Sequence, residues 1–228
     1  MPDNRVISVF GAKGSGKSTL VKAMLEEHDR VIVLDTLGEY ELAVRFGMDA
    51  CLSALAAAEK SRSFAYSLRL PNADEYLDLM EVCYELPGTL LVLEETSFYC
   101  SPASLPPELS ALVRYGRHRE IDQIYVARRP SEIHRDLTAQ SDLIVSFRQQ
   151  EPRDIAYLSA AAGEDAGRVR TLRQYRCAAW GNMAKAPVAL LAQLDRTGEQ
   201  SRLQLEDTED ERDEGTTKEG LTGAEVED

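Results

Sequence analysis

The chain carries Gly11-Ala12-Lys13-Gly14-Ser15-Gly16-Lys17-Ser18-Thr19 directly after a short apolar run at residues 5–10. The first eight of these residues match the pattern GxxxxGK[ST] without a mismatch. A helical pattern begins near Lys17, so the motif lies between a predicted strand and a predicted helix. Glycines in such a loop let backbone N–H groups converge on a phosphate, and the helix N-terminus adds positive potential. We therefore expect a nucleotide to bind here; the alternative is a Gly-rich turn that binds nothing.

The last residues of this loop have separate expected tasks. Lys17 is expected to reach the β- and γ-phosphates, and the Ser18 hydroxyl is expected to ligate Mg²⁺. Residues 11–19 together form the predicted nucleotide-binding segment. The motif alone fits kinases, GTPases, transporters and motors equally well.

Outward from the loop, short apolar runs alternate with helical patterns. Strands are predicted at residues 30–34, 63–70, 89–93, 123–127 and 142–147, and helices at residues 50–60, 72–85, 108–115 and 152–162. For residues 176–191 the interpretation is a hairpin around Gly181 and Asn182. This alternation indicates an α/β fold with a mainly parallel central sheet flanked by helices.

A pair of carboxylates follows the most continuous apolar run, residues 89–93, as Glu94 and Glu95. A buried strand that delivers two acids at its carboxyl end supplies what an ATP-hydrolysing site needs. Glu94 is expected to support the metal, where Asp is the usual residue, and Glu95 is expected to activate water. The alternative is a solvated acidic loop after a core strand.

Composition and charge place the chain among soluble globular proteins. Its 228 residues carry a net charge of −13, of which residues 195–228, with 13 acids and four bases, contribute −9, leaving −4 for residues 1–194. We therefore predict one domain, residues 1–194, and an acidic disordered tail, residues 195–228. The tail either solubilises the protein, mimics a polyanion at a basic channel, or docks a partner protein.

Membrane insertion, secretion and metal-cysteine chemistry are not expected from this sequence. No apolar run approaches the roughly 20 residues that cross a bilayer, and the start lacks a secretion signal, which favours a cytoplasmic location. The four cysteines are far apart and are expected to be reduced thiols: Cys51, Cys83, Cys100 and Cys177.

Arginines concentrate between residues 114 and 135, opposed there by only three acids. Six arginines lie in this segment: Arg114, Arg117, Arg119, Arg128, Arg129 and Arg135. Such a cluster in an acidic protein favours a local anionic partner, either a phosphate group or the DNA backbone. The alternative is salt bridging between elements of the fold.

Three stretches beyond the loop resemble the HerA/FtsK superfamily of DNA-translocating ATPases. They are Asp35-Thr36-Leu37-Gly38-Glu39-Tyr40, the run from Tyr115 to Ile133, and the run from Ser141 to Asp154. Together with the loop they span about residues 5–160, and their order agrees with the superfamily pattern. The compact form most resembles viral genome-packaging ATPases.

This resemblance implies a P-loop NTPase of the RecA-like (ASCE) type that uses ATP and Mg²⁺. It implies a homo-oligomeric ring, often a hexamer, around double-stranded DNA, with sites shared between subunits and with capsid or portal vertex proteins as partners. Arg117 and Arg119 are the expected trans fingers, with Arg117 preferred. Arg128 occupies the position of a sensor Gln and is expected to contact phosphate instead.

Two other functions stay open from the sequence. A small-molecule P-loop kinase would draw lid arginines from residues 114–135, although the tandem Glu94-Glu95 argues against it. A nucleotide-gated assembly module would bind ATP and partners with little turnover, which the departures at Glu94 and Arg128 favour.

Overall fold

A computed structural model describes residues 4–194. The predicted acidic tail, residues 195–228, lies outside the described residues. The described residues contain eight strands in one sheet, in the spatial order β3-β4-β2-β5-β6-β1-β7-β8. The strands are β1 Val6–Phe10, β2 Arg30–Leu34, β3 Ala43–Phe46, β4 Phe64–Arg69, β5 Leu90–Leu93, β6 Asp122–Ala127, β7 Leu143–Phe147 and β8 Cys177–Gly181.

All neighbouring strands from β3 to β7 pair in parallel, and β8 pairs antiparallel with β7. Such a sheet is buried on both faces, which explains why β1, β5, β6 and β7 are buried along their whole length and consist mainly of apolar residues. The predicted α/β fold with a mainly parallel sheet is confirmed.

Helices cover both faces of the sheet. They are α1 Lys17–Leu25, α2 Met48–Glu59, α3 Ala73–Tyr84, α4 Pro107–Tyr115, α5 Arg135–Ala139, α6 Pro152–Ala162 and α7 Val188–Gln193. Side chains of β1 alternate between the faces: Ile7 and Val9 pack with α1 and α7, whereas Val6 and Phe10 pack with α2 to α6. Among residues 4–194, no helix is long and apolar enough to cross a membrane.

The parallel strands place their ends at two opposite edges of the sheet. The carboxyl edge is where β1, β2, β5, β6 and β7 end, and the amino edge is where they begin. A strand of five residues, such as β1, separates the two edges by roughly 16 Å. The phosphate-binding loop, the acidic pair and Arg128 all follow strands, so they meet at the carboxyl edge.

The predicted hairpin at residues 176–191 is wrong. β8 ends at Gly181, and the chain then forms a 3-10 turn, Met183–Lys185, and helix α7. Glycine at position 181 is explained instead by close packing against the start of β7. A Cβ on Gly181 would lie 2.1 Å from the Asp142 carbonyl oxygen. Local turn residues could not reveal that the partner of β8 lies about 30 residues earlier in the chain.

Strand β3 was not predicted. Its four residues, Ala43–Phe46, lie at the edge of the sheet and are at least partly exposed. Such a short edge strand carries neither a clean alternation nor a continuous apolar run.

Candidate nucleotide-binding site

The phosphate-binding loop joins β1 to α1 and depends on its glycines. Gly14 and Gly16 have positive φ angles of 74° and 107°, and a Cβ on Gly11 would lie 2.4 Å from the Ser15 Oγ. Side chains at these positions would strain or block the turn. No side chain caps the start of α1, so its first backbone N–H groups point toward whatever binds in the loop.

The loop forms one wall of an open cleft of about 590 Å³, which we call the nucleotide cleft. This volume lies within the range of small-ligand sites. The Lys17 side chain is largely buried beneath it. The lining residues are Lys13, Gly14, Ser15, Gly16, Lys17, Ser18, Thr19, Leu37, Glu39, Arg128 and Tyr175.

Glu94 lies at the end of β5 and is completely buried. The Tyr40 hydroxyl donates a hydrogen bond of 2.7 Å to its Oε2, whereas its buried Oε1 has no hydrogen-bond partner among residues 4–194. Burial raises the pKa of Glu94, while the Tyr40 hydrogen bond and the nearby charge of Lys17 lower it. An unsatisfied buried carboxylate oxygen beside the Lys17 ammonium fits a hydrated Mg²⁺ bound with nucleotide.

A third carboxylate, Glu39, reaches the predicted metal ligand. The Ser18 hydroxyl donates a hydrogen bond of 2.5 Å to Glu39 Oε2. Buried Asp35 holds the Glu39 loop by accepting hydrogen bonds from the backbone N–H groups of Glu39 and Tyr40, at 2.9 and 3.2 Å. Arg69 pairs with the same carboxylate at 3.0 Å. In the sequence, Glu39 was part of the stretch that carries the resemblance but had no predicted role. Its position four residues after Asp35, at the end of a strand, was the feature that could have indicated one.

Glu95 follows Glu94 and has a left-handed backbone, with φ 49° and ψ 57°, and its side chain contacts Arg128, which lines the nucleotide cleft. Such a conformation is unfavourable for a glutamate and is found mainly where the surrounding structure enforces it. Its carboxylate pairs with the Arg128 guanidinium at 3.1 Å. Arg128 therefore contacts the predicted catalytic base within the same chain, an arrangement that the sequence did not reveal.

The predicted fingers Arg117 and Arg119 lie away from this cleft, at the amino edge just before β6. Arg117 pairs with Asp142 at 3.0 Å and donates a hydrogen bond of 2.7 Å to the Gln140 carbonyl. Arg119 pairs with Glu85 and borders a separate open cleft of about 820 Å³ that contains no glycine loop. Both arginines therefore lie a strand's length from the nucleotide cleft of their own chain.

The arginine-rich segment does not form one patch, because β6 separates Arg117 and Arg119, which precede it, from Arg128 and Arg129, which follow it. Five of its six arginines pair with acids of the same chain, which is the salt-bridging alternative considered from the sequence. The pairs are Arg114–Asp136, Arg117–Asp142, Arg119–Glu85, Arg128–Glu95 and Arg129–Asp154.

Tyr175 was also missed by the sequence reasoning. Its side chain is 59% exposed, lines the nucleotide cleft and has a left-handed backbone with φ 62°. A single tyrosine in an irregular stretch carries no local pattern that would have singled it out.

Replacing Glu94 by Gln is expected to stabilise the chain while disabling the site. Because burial raises the pKa of Glu94, its contribution to stability is full below the ordinary glutamate pKa and is lost as pH rises through the raised value. The neutral amide removes this loss, so Tm at neutral pH should rise above that of wild type.

Thermal melts at about pH 5 and about pH 8 measure this effect, and the gain should be larger at the higher pH. Glu81→Gln, on the exposed face of α3, is the matched control and should leave Tm unchanged at both values. A gain that is equal at both pH values would contradict the argument.

Comparisons with known proteins identify the fold. No protein-family model and no curated protein matches the chain. The genome packaging NTPase B204 from Sulfolobus turreted icosahedral virus 2, in complex with sulfate, matches with a TM-score of 0.67 and 19% identity, over 82% of this chain and 95% of that chain.

Two related structures give the same result. The same viral NTPase with ATP-gammaS has a TM-score of 0.66 and 21% identity, covering 82% of this chain and 96% of that one. B204, the DNA-packaging ATPase from Sulfolobus Turreted Icosahedral Virus, has a TM-score of 0.64 and 19% identity, with coverages of 82% and 96%. The fold of this chain is that of a P-loop ATPase and resembles viral genome-packaging ATPases.

Proposed function

We propose that this protein is an Mg²⁺-dependent ATPase that couples hydrolysis to the movement of double-stranded DNA, with packaging of a viral genome into a capsid as its task. One observation carries the proposal: the glycine loop and Lys17 share the carboxyl edge with the buried Glu94 and the strained Glu95. A turn that bound nothing would need neither a buried unsatisfied carboxylate nor a strained one.

Binding of the triphosphate is the task of the loop and of Lys17. The N–H groups at the start of α1 are directed at the β-phosphate, and the Lys17 ammonium neutralises the β- and γ-phosphates. Ser18 and Glu94 would hold Mg²⁺, which when bound offsets the negative charge on the phosphate oxygens. Glu39 must yield the Ser18 hydroxyl for this, since that hydroxyl now donates to Glu39.

Hydrolysis requires a base that takes a proton from the attacking water. Glu95 has the exposure and position for this task, because its side chain is 16% exposed and contacts the cleft residue Arg128, whereas Glu94 is completely buried. Its ion pair with Arg128, at 3.1 Å, holds the carboxylate in place until the nucleotide binds. When nucleotide binds, Arg128 is placed to turn toward the γ-phosphate, which releases Glu95 to the water.

Assembly completes the site. Negative charge that develops on the γ-phosphate in the transition state is commonly stabilised by an arginine from a neighbouring subunit. Arg117 and Arg119 lie at the amino edge, too far from their own cleft to take this role there. A neighbouring subunit in a ring, a hexamer by resemblance, would bring Arg117 or Arg119 to the cleft. The relatives in fold are described as packaging enzymes, which supports double-stranded DNA and a capsid or portal vertex as partners, in host cytoplasm or virion.

Steady-state ATP hydrolysis with and without linear double-stranded DNA tests the proposal on a preparation of defined oligomeric state. Wild type should be stimulated by DNA, and Lys17→Ala should be reduced to background with or without DNA. Lys60→Ala, an exposed lysine at the end of α2, is the matched control and should behave as wild type.

Each alternative function has its own outcome in this experiment. Turnover that ignores DNA in a confirmed ring overturns the motor and favours phosphate transfer to a small molecule. ATP binding with almost no turnover in any state favours a nucleotide-gated assembly module, which the engagement of Ser18 by Glu39 and of Glu95 by Arg128 would explain.

A further inference from the structure

We propose that Tyr175 is the platform on which the base of the bound nucleotide stacks, an inference that rests on nucleotide binding in the cleft. The ligand class is a nucleoside di- or triphosphate, and the contact is between an aromatic ring and the π-face of its base. Tyr175 would then set affinity for nucleotides over bare phosphates.

The position of Tyr175 beside the loop is the first support. A Cβ built on Gly16 would lie 3.1 Å from Tyr175 Cδ1 and 3.6 Å from Tyr175 Cα. The tyrosine therefore lies against the residue that opens α1, one residue from Lys17. A base stacked on this ring would be about the length of a ribose away from phosphates bound in the loop.

The order of the strands in the sheet determines which way a bound nucleotide would lie in the cleft. Glu94, Glu95 and Arg128 follow β5 and β6, on one side of β1, whereas Tyr175 precedes β8, on the other side beyond β7. The groups suited to the γ-phosphate therefore lie on the opposite side of the loop from Tyr175. A nucleotide with its β-phosphate in the loop and its γ-phosphate toward Glu95 directs its base to Tyr175.

The strain and exposure of Tyr175 have no packing explanation. The side chain is 59% exposed, yet the backbone adopts a left-handed φ of 62°, which favours glycine or asparagine. The residues on either side of Tyr175 are held in the core: Leu172 is 3% exposed and Cys177 is 0% exposed. The backbone conformation of Tyr175 is therefore fixed by its neighbours. A rigid ring held open to solvent at a ligand cleft is preorganised to stack.

Stacking on an aromatic ring is tolerant of base identity, because every base has a π-face. We therefore expect similar affinities for adenine and guanine nucleotides, because this contact does not distinguish the bases by hydrogen bonds. Leu37, 44% exposed in the same cleft, lies after β2 on the γ-phosphate side and cannot serve the base.

The test compares calorimetric affinities for ADP and for pyrophosphate, which differ by the nucleoside. The variants are Tyr175→Gly, which suits the positive φ and removes the ring, and Tyr175→Phe, which keeps the ring. Tyr115→Ala, another exposed tyrosine at the end of α4, is the matched control. Thermal melts confirm that every variant is folded, and Tyr175→Gly should not melt below wild type, since it relieves the backbone strain.

Loss of the ring should weaken ADP binding about tenfold or more and leave pyrophosphate binding within about twofold. Tyr175→Phe and Tyr115→Ala should bind both ligands as wild type does. Equal weakening of ADP and pyrophosphate in Tyr175→Gly would show that the residue only supports the loop, and unchanged ADP binding would place the base elsewhere; either result overturns the platform. A wild type that binds neither ligand would instead defeat the proposed function itself.

Discussion

Glu95→Gln should lower kcat for ATP hydrolysis by about 10²–10⁴-fold while ATP affinity stays within about twofold. The amide cannot accept a proton from water but keeps the size of the side chain and its hydrogen bond from Arg128, which is 3.2 Å away. Because Glu95 is at the rim of the cleft and Glu94 beneath it, the loss should appear in kcat and not in KM.

Single-turnover hydrolysis together with calorimetric ATP binding separates these two effects. Glu81→Gln, an exposed glutamate on α3, is the control and should keep wild-type kcat. Retention of more than about a tenth of wild-type kcat in Glu95→Gln would remove Glu95 as the base. Glu39, the carboxylate among the lining residues of the cleft, would then be the next group to test.

The ion pair of Glu95 also predicts the behaviour of Arg128 variants. Arg128→Ala leaves Glu95 without its cation and removes a charge available to the γ-phosphate, so kcat should fall even though the base remains. Arg128→Gln restores the residue that the resemblance expects at this position and should lose less activity than Arg128→Ala. An Arg128→Ala protein with higher kcat than wild type would mean that the ion pair restrains the enzyme.

The sequence located the parts of the site that depend on local order. A glycine loop between a strand and a helix, and acids directly after a buried strand, can be read from the chain because parallel strands bring their ends to one edge. That rule places the loop, Glu94 and Glu95 together without knowledge of the strand order.

Contacts between distant segments escaped prediction for a physical reason. The Ser18–Glu39 hydrogen bond joins residues 21 apart, and the Arg128–Glu95 pair joins residues 33 apart, so neither follows from a spacing of helix or strand. Tyr175 reaches the loop only because β8 pairs with β7 and returns the chain to the carboxyl edge. The same long-range pairing explains the wrong hairpin around Gly181.

The segment of six arginines shows how sequence clustering misleads. Arg119 and Arg128 are nine positions apart, yet β6 carries them to opposite edges of the sheet, about 20 Å apart for six residues. Charge density along the chain is therefore no measure of charge density in space.

Arg117→Ala should lower kcat of the assembled protein by about 10³-fold or more and should be rescued in part by Glu95→Gln subunits. Arg117 is separated from its own cleft by the length of a strand, so in the proposed ring it would act at the cleft of a neighbouring subunit. In mixed assemblies a wild-type Arg117 faces an intact Glu95 at some interfaces. Those interfaces should turn over ATP although each variant alone is inactive.

The local contacts of Arg117 allow it to leave its place without exposing a buried charge. Asp142, its partner at 3.0 Å, is also held by Lys185 at 3.2 Å and by the Val6 backbone N–H at 2.9 Å. The carboxylate therefore stays paired when Arg117 swings toward a neighbouring subunit. For the same reason Arg117→Ala should fold, with Tm close to wild type.

The mixing experiment measures ATP hydrolysis across ratios of Arg117→Ala and Glu95→Gln subunits that have exchanged into one assembly. A maximum at intermediate ratios establishes that the two residues serve one site from different subunits. Arg119→Ala is assayed in parallel, because its side chain also lies at the amino edge, and Arg62→Ala, an exposed arginine before β4, is the control. If Arg117→Ala stays active and Arg119→Ala does not, Arg119 is the finger. If all ratios give only the residual activities of the two variants, the site is not shared, and the hydrolysis step must be completed within one subunit.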